Sequence, residues 1–436
     1  MISLFDLSLQ LNGFPIKKAK ADLGTISRFS EEEFLKFLQK KKDEIVGFHL
    51  QNNSFYNELV GNKTAPKWED LPILNKQNLQ KPLEERLSNG YSKKNIYLNK
   101  TSGSSGTPFI FAKDKYSHAL TWASNIMRFG WFGIDFNHSY QARFYGIPMD
   151  FVGYQKERFK DFLSRRFRFP VFDLSDEILG RFLGKFKTKK FDYLNGYTSS
   201  IVLFAKYLEQ KNIILKEICP TLKACFVTSE MLFESDKKLL EKQFGIPIIN
   251  EYGASELDLI AFENPQGEWQ VNSETLFIEI LDENNQVLPY GKEGRIVITS
   301  LFNKANPFIR YDIGDIGILD EKSTLQKPIL KKLVGRTNDV AILPSGKKSP
   351  GLTFYYVTKS IIEDDGNVKE FIIKQTQLNT FEIEYVSENE LNTAQIQKIE
   401  EAITLYLEPN LNFNFTRKKV LERTNRGKLK QFKSYL

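Results

Sequence analysis

Apolar and polar positions change period along the chain, and the changes divide it. From residue 191 short apolar runs alternate with longer amphipathic ones. The run FDYLNGYTSS leads into IVLFAKYLEQ, which has helical spacing; LKACFVTS reads as a strand, ESDKKLLEKQF as a helix and IPIINEY as a strand. Short apolar strands separated by helices of about ten residues or more predict parallel βαβ units, because a parallel pair needs a long crossover. Residues 277–281 and 295–300 read instead as antiparallel strands, with Asn284 and Asn285 near the turn between them.

The flanking regions follow other rules. Ser30 followed by Glu33 makes a capping box ahead of Phe34, Phe37 and Leu38, so a long amphipathic helix is predicted to begin there. Pro66 and Pro72 punctuate a loop around LPILNKQNL, and YLNKTSGSSGTPFIFAKD sets a small-residue loop between two stretches of strand character. Residues 116–132 read as an aromatic-rich helix. Past Gly335 to Asp339 the pattern changes again: residues 371–374 and 381–386 alternate as strands, and Ile396, Ile399, Ile403 and Leu407 recur at helical spacing. The prediction is a mixed α/β protein with a large N-terminal domain, residues 1–335, of βαβ-type layered sheets. A small α+β domain of ordinary size follows over residues 336–436. A length of 436 residues exceeds what a single core usually serves, which also asks for two domains.

Composition narrows the classes. Hydrophobic residues make up 41% and charged residues 26%, with 36 Phe, which suits a globular chain and excludes overall disorder. The net charge of +7 favours anionic partners without selecting one. Two cysteines, Cys219 and Cys225, build neither a disulfide framework nor a zinc site, and with three histidines a His/Cys metal centre is not expected. The N-terminus lacks the basic region and cleavage site of a signal peptide, and no apolar run reaches about 18 residues, so a cytoplasmic protein is expected.

Several segments carry candidate chemistry. Thr101, Ser102, Gly103, Ser104, Ser105, Gly106 and Thr107, followed by Pro108, combine two flexible glycines with hydroxyls and inward-turning N–H groups, a phosphate cradle in physical terms. The Walker A spacing is absent, and the competing reading is a Gly/Ser linker. Glu251, Tyr252, Gly253, Ala254, Ser255 and Glu256 follow a predicted strand and offer a ring to stack a base and a carboxylate for Mg2+. The competing reading is a β-turn with a solvated Glu. In IRYDIGD, Asp312 and Asp315 offer acceptors for ribose hydroxyls, or form a surface turn. Arg336 lies in GRTND at the expected boundary, and Lys428 sits beside a Gly turn near the C-terminus.

In this order, TSGSSGTP, EYGASE, IRYDIGD, GRTND, LPSGKKSP and RGKLKQF resemble the adenylate-forming superfamily of acyl-CoA synthetases, peptide-synthetase adenylation domains and luciferases. The resemblance is strongest to the phenylacetate–CoA ligase family and its capsular-polysaccharide branch, and it runs from about the first helix to the last lysine. It implies that ATP and a carboxylic acid form an acyl-adenylate and that the acyl group then passes to CoA. The alternative acceptor is an amine, on an amino sugar or amino acid. The stretch from Thr101 to Thr107 matches the loop that grips the β- and γ-phosphates. Tyr252 matches the aromatic on adenine, with Gly253 and Ala254 close by. Ser255 matches the hydroxyl near the α-phosphate, Glu256 the Mg2+ carboxylate, Asp315 the ribose aspartate and Arg336 the arginine near ribose and phosphate. Lys428 matches the lysine that bridges acyl carboxylate and α-phosphate. The small domain is implied to rotate between half-reactions about a hinge at Asn338 or Asp339.

The chain departs from the family in places. Its phosphate loop ends in T-P-F without the usual lysine, although Lys113 follows shortly. No cysteine stands in IAFENPQGEWQVNSE, where some relatives hold zinc, so no zinc is expected. LPSGKKSP replaces the segment near the thiol acceptor in phenylacetate–CoA ligases. The family comparison points to Phe144, Tyr145, Tyr197, Thr198, Phe226 and Thr228 as a flat, apolar acyl pocket for an aryl or short acid, against ordinary core packing. A nucleic-acid protein using the basic stretches at residues 158–168 and 417–430 would leave the ordered motifs unexplained. A catalytically dead relative is disfavoured by Glu256 and Lys428.

Overall fold

The structure, a computed structural model, describes residues 4–61, 66–100, 109–146, 151–336, 340–350, 368–406, 408–423 and 429–436. The helix Glu31–Asn52 opens on the expected capping box: Ser30 Oγ accepts from Glu33 N–H, and the Glu33 carboxylate accepts from Ser30 N–H. The aromatic helix spans Lys115–Gly130. It is preceded by an antiparallel pair, β1 (Ile96–Lys100) and β2 (Ile110–Asp114).

A seven-stranded sheet forms the centre. Its strands are β3 (Gln141–Phe144), β4 (Arg166–Phe169), β5 (Tyr193–Tyr197), β6 (Ala224–Thr228), β7 (Ile248–Ala254), β8 (Asp258–Glu263) and β9 (Trp269–Val271), in the order β4-β3-β5-β6-β7-β8-β9. The first five are parallel and the last two antiparallel. β5 and β6 are buried along their whole length, as strands covered on both faces must be. One face packs Ala142, Phe144, Leu194, Cys225 and Val227 against the helices Asp176–Thr188, Thr198–Gln210 and Glu234–Phe244. The other packs Tyr193, Ala224, Phe226 and Ile249 against Phe129 and its neighbours. Gly196 is required where β5 crosses β3, because a Cβ there would lie 2.5 Å from Phe144 Cβ.

The expected antiparallel pair is part of a four-stranded sheet, β10 (Leu276–Leu281), β11 (Glu293–Ser300), β12 (Tyr311–Leu319) and β13 (Leu330–Arg336). Asn285 takes the left-handed conformation in the turn after β10. Further along lie β14 (Val340–Ile342), β15 (Lys348–Pro350), β16 (Val368–Gln377), β17 (Thr380–Ser387), the helix Thr393–Tyr406, β18 (Asn412–Arg417) and β19 (Phe432–Ser434). The sheet β18-β17-β16-β19 has its own core, with Phe371, Ile373, Phe381, Ile383, Ile399 and Ile403. Phe233, from the loop after β6, enters that core. Leu407 lies outside the described residues. Among the described residues no helix is long and apolar enough to cross a membrane.

Candidate active site

β6 and β7 deliver their C-terminal ends to one edge of the parallel run, the place where open α/β sheets bind ligands. EYGASE is not a turn after a strand, as the residue types suggest. Glu251, Tyr252, Gly253 and Ala254 are the end of β7 itself, paired with β8, and the turn holds Ser255 and Glu256. Gly253 explains the extension. A Cβ there would lie 2.5 Å from Asp258 O, so only glycine lets β8 approach so closely.

Tyr252 is buried, and its hydroxyl donates to Asp315 Oδ2 at 2.6 Å. Its ring packs edge-on to Trp269, with centroids 5.9 Å apart. Glu256, also buried, accepts from the Tyr311 hydroxyl at 3.1 Å. IRYDIGD is likewise strand rather than surface turn. Tyr311 to Asp315 open β12, with Gly314 at φ +80°. Asp315 stands directly opposite Arg336 of β13 in the ladder. Three segments far apart in sequence therefore meet around Tyr252, Glu256, Asp315 and the Arg336 backbone. Lys113 Nζ lies 3.4 Å from Ser255 O and pairs with Asp258, so the lysine after the small-residue loop reaches the same turn.

Thr101 to Thr107, Lys428 and the hinge candidates Asn338 and Asp339 lie outside the described residues. Next to Lys428 in the chain, Leu429 N–H donates to Glu230 Oε1 at 2.9 Å. The other oxygen of Glu230 accepts from Ser199 N–H at 2.7 Å.

The pocket candidates separate by strand parity. Tyr145, Tyr197 and Thr228 share one side, with the rings of Tyr145 and Tyr197 4.5 Å apart. Thr228 Oγ1 donates to Glu251 Oε1 at 3.1 Å. Thr198 is buried at the start of its helix and donates to Glu230 O. Phe144 points to the opposite face and is core filling, stacked 4.8 Å from Phe169. Phe226 is on the pocket side but fully buried, stacked 4.0 Å from Phe129. The expected flat apolar lining is therefore half polar: Gln141, Arg143 and Asn195 share that side by register. Burial pushes the Glu251 carboxyl up to about 7, against the opposing pull of the Thr228 hydroxyl and the Arg143 charge. Burial also raises the Tyr145 phenol. Sequence reasoning passed over Gln141, Arg143 and Asn195. The alternation Gln141, Arg143, Tyr145 against Ala142 and Phe144, inside an apolar sheet, was the available signal.

Part of the basic stretch at 158–168 is paired within the chain. Asp161 accepts from Arg166 and Arg168, and Glu157 pairs with Arg168 at 2.7 Å.

No family model matches the chain. It is 25% identical over 414 residues to Protein CapK of Staphylococcus aureus, covering 89% of this chain and 87% of CapK. It is 25% identical over 173 residues to phenylacetate-coenzyme A ligase of Aromatoleum evansii, covering 35% of this chain and 38% of that one. Among solved structures it matches 2-hydroxyisobutyryl-CoA ligase in the postadenylation state in complex with R3-HIB-AMP. There the TM-score is 0.70 at 15% identity, with 91% of this chain and 88% of that chain covered.

Proposed function

We propose that this chain, a member of the adenylate-forming superfamily, uses ATP to activate a carboxylic acid as an acyl-adenylate and then transfers the acyl group to CoA. A carboxylate oxygen attacks the α-phosphorus, the new acyl–O–P bond forms, and pyrophosphate leaves with the electron pair of the broken bond. The CoA thiol then loses its proton and attacks the carbonyl carbon, and AMP departs. Neither step needs the protein to supply a covalent intermediate; positioning and charge stabilisation suffice.

The observation that carries this reading is the convergence of Tyr252, Glu256, Asp315 and the Arg336 position at the end of the parallel sheet. In the proposed roles, Tyr252 packs on the base with the Gly253 and Ala254 backbone beside it. Asp315 binds ribose, and Ser255 lies near the α-phosphate. The segment from Thr101 to Thr107 holds the terminal phosphates. The chain divides at residue 335, with Lys428 brought in by the smaller domain.

Glu256 is the residue proposed to hold Mg2+. A buried carboxylate with one oxygen already oriented by Tyr311 fits an ion that takes one or two protein carboxylates and fills its shell with water and phosphates. When bound, the ion neutralises phosphate charge. Among the described residues no group of three or more His, Cys, Asp or Glu forms a metal cage, and this ion does not require one.

The test is pyrophosphate release from ATP across aryl, short-chain, fatty and amino acids, each with and without CoA and with and without hydroxylamine. Release that requires an acid, with a thioester formed when CoA is present, is the expected result. Trapping by hydroxylamine with no thioester moves the acceptor to an amine, and release with no acid in the panel sinks the reading.

Two substitutions test the roles. Glu256→Gln keeps an oxygen to accept from Tyr311 but removes the charge, so the Mg2+ concentration for half-maximal rate should rise about tenfold or more. An unchanged Mg2+ titration removes the metal role. Asp315→Asn still accepts from Tyr252, yet loses a charge-assisted bond, so KM for ATP should rise about tenfold to a hundredfold. A KM within about twofold of wild type, a difference worth under about 0.5 kcal/mol, removes the ribose role.

A further inference from the structure

The polar residues on the pocket side of β3 and β4 differ in one respect. Arg166 and Arg168 are paired: Asp161 bonds both, and Arg168 also donates to Gly146 O at 2.8 Å and pairs with Glu157. Arg143 is the ladder partner of Arg168 on one side and of Asn195 on the other. Yet among the described residues the half-buried Arg143 side chain makes no hydrogen bond or ion pair, and its Nε is shut off from solvent without a partner. Its guanidinium lies over the Tyr145 ring, 4.3 Å from the centroid, and that ring packs on Tyr197. Asn195 is not free to serve it: its amide accepts from Gln141 and donates to Phe226 O.

A buried donor left unmade costs about 1–3 kcal/mol, and more when the group is charged. A fold that keeps such a group beside the proposed acyl pocket holds a cation ready for an anion that arrives with the ligand. Glu251, which feels the Arg143 charge, is pushed up by burial, and among the described residues it makes no ion pair with Arg143.

The geometry separates this cation from the reacting end of the acid. Arg143 is on β3, and the Tyr252 motif is on β7, three strand spacings away in the order β3-β5-β6-β7. At about 4.8 Å each, that is about 14 Å between backbones. The acid's reacting carboxylate must sit at the β7 end, beside the nucleotide. The Arg143 side chain reaches back across part of that gap, far enough for Glu251 on β7 to feel its charge, so a short acid can span the remainder with its second end at Arg143.

We propose that Arg143 is a specificity-determining residue of the acyl pocket and that the acid it selects carries a second carboxylate, held by the guanidinium fork. Tyr145 and Tyr197 form the wall along which the short carbon chain lies. This rests on the reading that the acid binds at this end of the sheet. It replaces the aryl or plain short acid with a short dicarboxylic acid.

The experiment is calorimetric titration of the full chain with malonate, succinate and glutarate, and with propionate, butyrate and valerate as controls of comparable length. Wild type, Arg143→Gln and Arg143→Lys are compared, with ligand-free melting of each variant as the folding control. Pyrophosphate release with the same acids is measured in parallel. At least one dicarboxylate should bind wild type about tenfold or more tighter than its monocarboxylate control, as a charge-assisted fork requires. Arg143→Gln should erase that preference, and Arg143→Lys should restore part of it. Equal binding of the two series, binding of neither, or a preference that survives in Arg143→Gln overturns the proposal. Dicarboxylate binding that depends on Arg143, with no pyrophosphate released, sinks the adenylation reading and leaves the anion site standing. Release with monocarboxylates alone does the reverse.

Discussion

Lys428→Ala is expected to lower acid-dependent pyrophosphate release by about 100- to 1,000-fold, the usual cost of removing a group that stabilises charge only in the transition state. The negative charge that builds as the carboxylate attacks the α-phosphorus needs a cation that is positioned beforehand. The adjacent residue Leu429 is tied through its backbone to Glu230, and Glu230 is tied to Ser199 at the start of the helix after β5. The backbone at Leu429 is thus anchored, through Glu230, to the start of that helix. Because the substitution removes only a charged side-chain end, the variant is expected to melt as wild type does and still bind ATP. A rate within about threefold of wild type, worth under about 0.7 kcal/mol, would remove Lys428 from the chemistry.

The second large effect is on stability. Arg310 is fully buried in the left-handed conformation, immediately before the Tyr311 to Asp315 motif. Its guanidinium bonds Glu279 and the carbonyls of Trp68, Glu69 and Leu71. Trp68 Nε1–H also donates to Glu279 Oε1. Burial raises the Glu279 carboxyl, and Arg310 pulls it back. Arg310→Leu strands a buried carboxylate and three carbonyls, and should cost about 3–5 kcal/mol. The double substitution Arg310→Leu/Glu279→Leu removes both members of the buried pair and should recover a large part of that loss. Denaturant midpoints of the first transition would read both. A double variant no more stable than the single one would show that the ion pair is not the source of the loss.

The fold was legible where periodicity is strong. The capping box at Ser30, the βαβ run from residue 191 and the alternation in β16 and β17 all appear as the pattern predicts. What the residue types misjudged was local. EYGASE and IRYDIGD contain turn formers, yet both lie mainly in strands, because Gly253 and Gly314 serve close approach and a positive φ inside a sheet rather than a loop. Tertiary pairing overrides propensity there. The pocket was harder to read because aromatic residues at the ends of strands look alike in sequence. Phe144 and Tyr145 are adjacent, but one fills the helix-covered core and the other faces Arg143. Residue type alone does not reveal that difference; the register of the sheet does.

That register has a consequence for how such an enzyme changes over time. Along β3, β5 and β6, successive residues alternate between the helix-packed core and an opposite side that packs on Phe129 and carries the proposed pocket only near the Arg143 and Thr228 positions. A substitution at Phe144 or Val227 is a substitution in a core. One at Arg143 or Thr228 would, in the proposed roles, alter what the cleft accepts while the helices stay where they are. On the proposed reading, substrate range can therefore drift through single replacements at those few positions, each screened by what the cell needs joined rather than by whether the chain still folds.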